Sequence, residues 1–122
     1  MKVDAVLAAS GETPFGNGLA ISVGIETGGR EVRSFAELSV PLAAFAALNR
    51  KSDIRDAFEK FAAEYAGRAS AGFCVAGAGA RIVNTPTVRN SFVGEGVTID
   101  GAVLVEESTI LGAPDEQTRV SH

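Results

Sequence analysis

The feature that most constrains this chain is a repeat whose period is neither the 2 of a strand nor the 3.6 of a helix. From residue 76 onward, apolar and mostly β-branched residues recur at Ala76, Ile82, Val88, Val93, Ile99, Val105 and Ile110. The steps are 6, 6, 5, 6, 6 and 5, so three steps sum to 17 twice over. Side columns follow the same period: Gly77 over Gly94, Ala80 over Val97, Pro86 over Val103, and Cys74, Ser91 and Ser108 as a column of small residues. Arg89 falls over Glu106, an opposite-charge pair. A fixed period of this kind describes one supersecondary unit stacked on copies of itself. Each hexad reads as one short strand and one corner, and three hexads close a triangular coil. The register residue points inward and stacks on its copies about 4.8 Å above and below, the spacing of hydrogen-bonded strands. The glycine after it serves a sharp corner. The residue four past each register position is expected to point inward as well: Ala80, Pro86, Phe92, Val97, Val103 and Thr109. Pro86 and Phe92 fit that place worst, and the five-residue step from Val88 to Val93 reads as a tightened corner.

The rest of the chain reads differently. Between Val3 and about Phe35 the pattern is strand-like, with Leu19, Ile21, Val23 and Ile25 alternating against Ala20, Ser22 and Gly24. Thr27-Gly28-Gly29-Arg30 is a hairpin turn and Glu31-Val32-Arg33 its returning strand. Residues 34–67 then switch to helical spacing. Ser39 is the expected N-cap of a first helix with Pro41 in its first turn, and Leu42, Phe45 and Ala46 lie on one face of it. Ser52 is the expected N-cap of a second helix, with Asp53 at its positive end and Gly67 closing it. Its apolar stripe is Ile54, Ala57, Phe58, Phe61, Ala62 and Tyr65, which is core spacing rather than a ligand box. The short link makes an αα-hairpin. Phe15-Gly16-Asn17-Gly18-Leu19-Ala20 is itself a hexad. The coil is therefore expected to begin there, leave for the hairpin and helices, and resume near Phe73. The domain expectation is one β-helix unit over residues 1–122 with residues 34–67 inserted as a helical hairpin.

Composition removes several function classes. The net charge of -4 and the scattering of 11 basic residues argue against nucleic acid, which needs clustered Lys and Arg. No stretch approaches the roughly 18 apolar residues of a bilayer span. Met1-Lys2-Val3-Asp4 places an acid where a signal peptide needs an apolar run. One cysteine, Cys74, precludes an internal disulfide framework. A soluble cytoplasmic protein is expected. Gly77-Ala78-Gly79 and Gly94-Glu95-Gly96 look like half of a dinucleotide fingerprint. That fingerprint must open a helix, whereas here β-branched residues and Pro86 follow.

No catalytic set emerges, so the catalytic residues are unknown from sequence, and no cofactor or metal is expected. The single histidine is His122, the last residue. Cys74 lies in an inward column and reads as a buried thiol. Glu106 and Glu107 are neighbours, and neighbours on a strand face opposite ways, which makes them a poor acid–base pair. Asn84 and Asn90 suit corners, because asparagine tolerates the left-handed region. Arg81 and Arg89 would suit a sugar phosphate, but a solvated corner with Glu106 as partner is the simpler reading.

The stretch Val88-Arg89-Asn90-Ser91-Phe92-Val93-Gly94-Glu95-Gly96-Val97 resembles corners of the hexapeptide-repeat superfamily, which includes acyltransferases and the β-helical tails of sugar-nucleotide pyrophosphorylases. The order Phe15-Gly16-Asn17-Gly18, Gly28-Gly29-Arg30-Glu31-Val32, helical pair, Gly77-Ala78-Gly79-Ala80-Arg81-Ile82-Val83-Asn84 is similar to one segment of a family of much longer bacterial proteins of unassigned function. The fold class implied is mainly β: a left-handed parallel β-helix of about two coils with an inserted β-hairpin and αα-hairpin. The resemblance carries structural motifs and no catalytic residue. It implies a segment of a larger protein. Its ending in Gln117-Thr118-Arg119-Val120-Ser121-His122, after a Gly112-to-Glu116 excursion, looks like the start of another coil. Two functions are expected from it. One is a structural or oligomerisation segment of a protein linked to sugar-nucleotide metabolism, without chemistry of its own. The other is part of an acyltransferase or nucleotidyltransferase whose catalytic residues lie outside this chain. Hexapeptide acyltransferases use a histidine base between subunits, which argues for the first. A homo-oligomer, with a trimer favoured, and a sugar-nucleotide or acyl-donor ligand are the implied partners.

Overall fold

A computed structural model describes residues 1–23, 31–49 and 51–122. In chain order its elements are β1 (Lys2–Val3), β2 (Val6–Ala8), β3 (Ala20–Ser22), β4 (Glu31–Arg33), α1 (Val40–Leu48), α2 (Ser52–Ala69), β5 (Val75–Ala76), β6 (Arg81–Val83), β7 (Thr87–Arg89), β8 (Phe92–Val93), β9 (Thr98–Asp100), β10 (Leu104–Glu106), β11 (Thr109–Ile110) and β12 (Arg119–Ser121). The chain divides into two units: Met1–Phe15 with Ser70–His122, and Gly16–Ala69. The Gly28-Gly29 turn and Ile25 lie outside the described residues.

The first unit is built from three parallel sheets, ordered β1-β6-β9-β12, β10-β7-β2 and β11-β8-β5. The 17-residue period is a hydrogen-bonding register: Ile82 pairs with Ile99, Val88 with Val105, and Val93 with Ile110. Consecutive strands visit the three sheets in one order, so the sequence repeat and the sheet topology are the same fact. Ile82, Val88, Val93, Val97 and Ile99 are fully buried and form one cluster with Ala80 and Val105. Each such side chain contributes about 1.5–3 kcal/mol relative to exposure.

The first layer of these sheets corrects the sequence reading. The hexad beginning at Phe15 is not a turn of the coil. Phe15 has φ 54° and opens a glycine-containing turn, and Ala20–Ser22 pairs antiparallel with β4 instead. The layer beneath β6, β7 and β8 is supplied by β1 and β2 from the N-terminus and by β5 after the helices. Leu7 lies in register with Val88, and Val3 with Ile82. The signal was hidden because Val3 to Leu7 is a step of 4, two shorter than its counterpart from Ile82 to Val88. At the other end, β12 pairs with β9 after a step lengthened by the 112–118 excursion, Arg119 facing Thr98.

The corners also differ from expectation. In the first corner the inward residues are Ala80 and Val97, as the spacing predicts. In the second, Pro86 is exposed and Val103 is 86% exposed, while Thr85 is buried and Ala102 packs against the core. The inward place has moved from four to three past the register residue. The cause is where the left-handed residue falls. It is Gly79 and Gly96 (both φ 69°) in the first corner, three past the register position. In the second it is Asn84 (φ 50°) and Gly101 (φ 86°), and in the third Asn90 (φ 47°) and Glu107 (φ 48°), all two past it. The buried hydroxyls that follow satisfy the corner: Thr85 Oγ1 donates to Val83 O at 3.0 Å and Ser91 Oγ to Arg89 O at 2.7 Å. The glycine directly after the register residue has a different duty. A Cβ on Gly77 would stand 2.7 Å from Glu95 N, so that glycine permits close backbone approach. The sharp turn belongs to the second glycine of each pair.

The second unit packs a two-stranded antiparallel sheet, β3-β4, with α1 and α2. Val32 is buried, and Phe35 contacts Phe58, Phe61 and Tyr65, with the Tyr65 ring centroid 5.1 Å away. The α2 stripe is core only in part: Ile54, Phe58 and Tyr65 are half-buried and Ala62 is fully buried, while Ala57 and Phe61 are exposed, Phe61 to 53%. Ser39 caps α1 as expected, its hydroxyl accepting from Leu42 N at 3.3 Å. The face of α1 that packs is Ala43 and Ala47, while Leu42 and Phe45 are 39% and 54% exposed. Leu42 and Phe45 line the rim of a crevice beside Val32, Ile54 and Phe58 and stay partly in solvent. Two helix details are corrected. Ser52 is the first residue of α2, whose ladder starts at the Lys51 carbonyl with Arg55 N at 3.0 Å. Gly67 lies inside the helix, which continues to Ala69.

Candidate functional site

The densest polar cluster of the first unit sits where the chain leaves β2. Asn90 is its centre. Its backbone N–H donates to Ala8 O at 2.9 Å, and its Oδ1 accepts from Ser10 N at 2.9 Å. Its Nδ2 donates to Ser10 Oγ at 2.9 Å and to Glu107 Oε1 at 2.8 Å. Thr13 Oγ1 donates to the other carboxylate oxygen, Glu107 Oε2, at 2.5 Å, and accepts from Phe15 N at 3.1 Å. Thr13 and Ala71 exchange backbone hydrogen bonds at 2.9 and 3.0 Å, joining outgoing and returning chain. Thr109 Oγ1 donates to Phe15 O at 2.8 Å, and the Phe15 ring meets Phe92 edge-on at 6.2 Å. That contact explains how Phe92 is accommodated at the tightened corner.

Local sequence explains why these groups meet. Asn90 and Glu107 occupy equivalent left-handed corner positions on successive coils, which aims both side chains at the same place. Asparagine tolerates that backbone, whereas glutamate adopts it at a cost of order 1 kcal/mol that its two charge-assisted hydrogen bonds offset. Both carboxylate oxygens of Glu107 are engaged. The cluster brings one hydroxyl, Thr13 Oγ1, onto the Glu107 carboxylate, but that hydroxyl also accepts from Phe15 N and the second carboxylate oxygen is taken by Asn90 Nδ2, so these groups hold one another. Its chemistry is that of a clamp across the base of the insertion. Sequence alone singled out Asn90 as a corner residue, but Ser10 and Thr13 were missed. They lie 80 and 94 positions from their partners, and no local pattern marks such a pairing.

The other sequence candidates fall apart from one another. Glu106 ends β10 and pairs with Arg89 at 3.0 Å, as the column predicts, while Glu107 has turned off the strand into the clamp. Arg81 is exposed. Asn84 Nδ2 donates to Asp100 Oδ1 at 2.8 Å, and Arg119 reaches the other Asp100 oxygen at 3.6 Å. His122 stacks on Gly101, its ring filling the space where a side chain on residue 101 would project. The Cys74 thiol is half-buried and donates to Ser91 O at 3.3 Å. Among the described residues, no group of His, Cys, Asp and Glu is arranged to hold a metal ion, and every buried side-chain polar atom has a hydrogen-bond partner.

The second unit has a crevice of about 130 Å³ lined by Val32, Leu42, Phe45, Ile54 and Phe58, with Arg55 and Glu59 among its polar residues. Arg33 Nε donates to Glu59 Oε2 at 2.7 Å and Arg33 Nη1 to Gly18 O at 2.8 Å, which ties β4 to α2. Burial raises the Tyr65 hydroxyl above its ordinary pKa, and the nearby Glu37 carboxylate adds to the effect. No helix among the described residues is long and apolar enough to cross a membrane.

Parallel sheets with a 17-residue register, antiparallel β3-β4 and two helices define a mainly-β domain with no assembled catalytic set among the described residues. Residues 1–121 match the family described as a domain of unknown function, DUF4954, and the chain belongs to that family. No curated protein and no solved structure matches it.

Proposed function

We propose that this chain is a structural, self-associating segment of left-handed parallel β-helix, without chemistry of its own, within a cytoplasmic protein linked to sugar-nucleotide metabolism. The observation that carries the reading is how its polar corner residues are used. Asn90, Glu107, Ser10 and Thr13 engage one another, Asn84 engages Asp100, and Arg89 engages Glu106. These groups hold corners in place by engaging one another. The left-handed coil is what the hexapeptide-repeat resemblance implies, and three short parallel strands per 17-residue turn fit it. Self-association is supported by the sheet ends: β10 and β11 each have a strand neighbour on one side only, which leaves edge groups able to pair.

The test has two arms. Light scattering of the purified chain should give a homo-oligomer, with a trimer the form implied by the resemblance; a monomer at every concentration overturns the self-association reading. A thermal-shift series with nucleotide sugars and acyl-coenzyme A should give no shift. A saturable rise in melting temperature with either overturns the absence of a ligand site, because a ligand that binds only the native state must stabilise it.

A further inference from the structure

Helix α1 is inverted relative to an ordinary surface helix. Its nine residues, Val40-Pro41-Leu42-Ala43-Ala44-Phe45-Ala46-Ala47-Leu48, contain no charged or hydrogen-bonding side chain. The face that packs inside its own unit is alanine: Ala43 and Ala47 are each 8% exposed. The opposite face carries the large side chains, with Phe45 54% exposed and Leu48 66% exposed. Pro41, Phe45 and Leu48 follow one another at steps of 4 and 3, so they form a single stripe along the helix. A scattered apolar residue on a surface needs no explanation, but a contiguous stripe on a helix without polar side chains does.

The charges around the helix select the occupant. Glu37 stands three residues before α1 and Lys51 three residues after it, and both are exposed. Two copies of α1 packed antiparallel across a two-fold axis would bring Glu37 of each against Lys51 of the other. They would also set the positive N-terminal end of each helix beside the negative C-terminal end of its mate. The face is thus self-complementary in charge and in apolar character, as an isologous interface requires. A parallel pairing would oppose like charges at both ends.

We propose that the outward face of α1, centred on Phe45 and Leu48, is a self-association surface that pairs antiparallel with α1 of a second copy of this chain. The proposal rests on the self-association reading above and assigns it to a surface; a two-fold pairing closes at a dimer, which here stands in place of the trimer that the resemblance implies. One nine-residue helix offers less than the roughly 800 Å² per partner of a standard interface, so the pairing is expected to be weak and concentration-dependent.

The experiment is sedimentation equilibrium of the whole chain from roughly 5 to 500 μM, a range that brackets weak association. The wild type should show a reversible monomer–dimer equilibrium, and a trimer overturns the two-fold pairing. Leu48→Glu should weaken it at least tenfold with unchanged far-ultraviolet circular dichroism, since Leu48 is 66% exposed and stands outside the crevice that Phe45 helps to line, and Phe45→Glu should weaken it as much. Glu37→Lys and Lys51→Glu should each weaken association several-fold, and the double variant should regain most of it. Association that survives both glutamate substitutions overturns the α1 assignment while leaving self-association standing on another surface, the sheet ends included. Failure of the double charge reversal to restore association overturns the antiparallel arrangement. A wild type monomeric at 500 μM overturns this assignment and the self-association reading together.

Discussion

Gly77→Ala is the sharpest perturbation of the stacked corners. Gly77 has no positive φ, so alanine is sterically allowed by its own backbone. The added methyl would instead meet the chain one coil above: Glu95 N at 2.7 Å and Gly94 C at 2.8 Å. Both are backbone atoms held in the sheet register, Gly77 N itself donating to Val93 O at 2.8 Å, so neither can rotate away. Overpacking of this kind costs about 1–3 kcal/mol. Against it, replacing glycine removes about 0.4–1 kcal/mol of unfolded-chain entropy. The net expectation is a destabilisation of about 1–2 kcal/mol, or roughly 3–5 °C per kcal/mol in a domain of this size. Gly67→Ala is the matched control. It makes the same chemical change inside α2, where an added Cβ meets nothing within 4 Å, and should stabilise by about 0.5–1 kcal/mol. Urea unfolding followed by circular dichroism reads both, as opposite shifts in midpoint at constant slope. If Gly77→Ala leaves the midpoint unchanged or raises it, the coils are not in backbone contact at that corner and the reasoning fails.

Three other outcomes follow from the corners and the second unit. Val103→Asp should change stability by no more than about 0.5 kcal/mol, because its side chain is in solvent, whereas Val97→Asp should abolish cooperative unfolding; equal effects would restore the inward place to residue 103. Glu107→Gln puts an amide donor against either Asn90 Nδ2 or the Thr13 hydroxyl, so it should cost about 1–2 kcal/mol by urea midpoint, and Glu107→Asp should not recover it, being too short to span both partners. Tyr65 has a raised pKa in the folded chain, so the neutral phenol is what the native state favours. Its contribution is intact below pH 10.0 and is lost as pH rises through the higher folded value. Stability should therefore fall above pH 10.0 in the wild type, less steeply in Tyr65→Phe, and absorbance titration of Glu37→Gln should place the phenol ionisation nearer its ordinary value.

The sequence by itself determined the register. A side chain buried on copies of itself at a fixed spacing must recur at that spacing, so Ile82 and Ile99, Val88 and Val105, and Val93 and Ile110 could be paired without coordinates. Asn84 and Asn90 could be placed in left-handed corners for an equally local reason, the tolerance of asparagine for that backbone. The tertiary structure decided what depends on partners distant along the chain. It recruited β1, β2 and β5 as the first layer, although Val3 and Leu7 are spaced too closely to read as a hexad. It moved the inward place at the second corner to Thr85 and Ala102, because the left-handed residue comes one position earlier there than at Gly79. It gathered Ser10, Thr13, Asn90 and Glu107 into a clamp across up to 94 residues. It also set Ala43 and Ala47 as the packed face of α1, since hydrophobic spacing marks a stripe but not which side of it is buried.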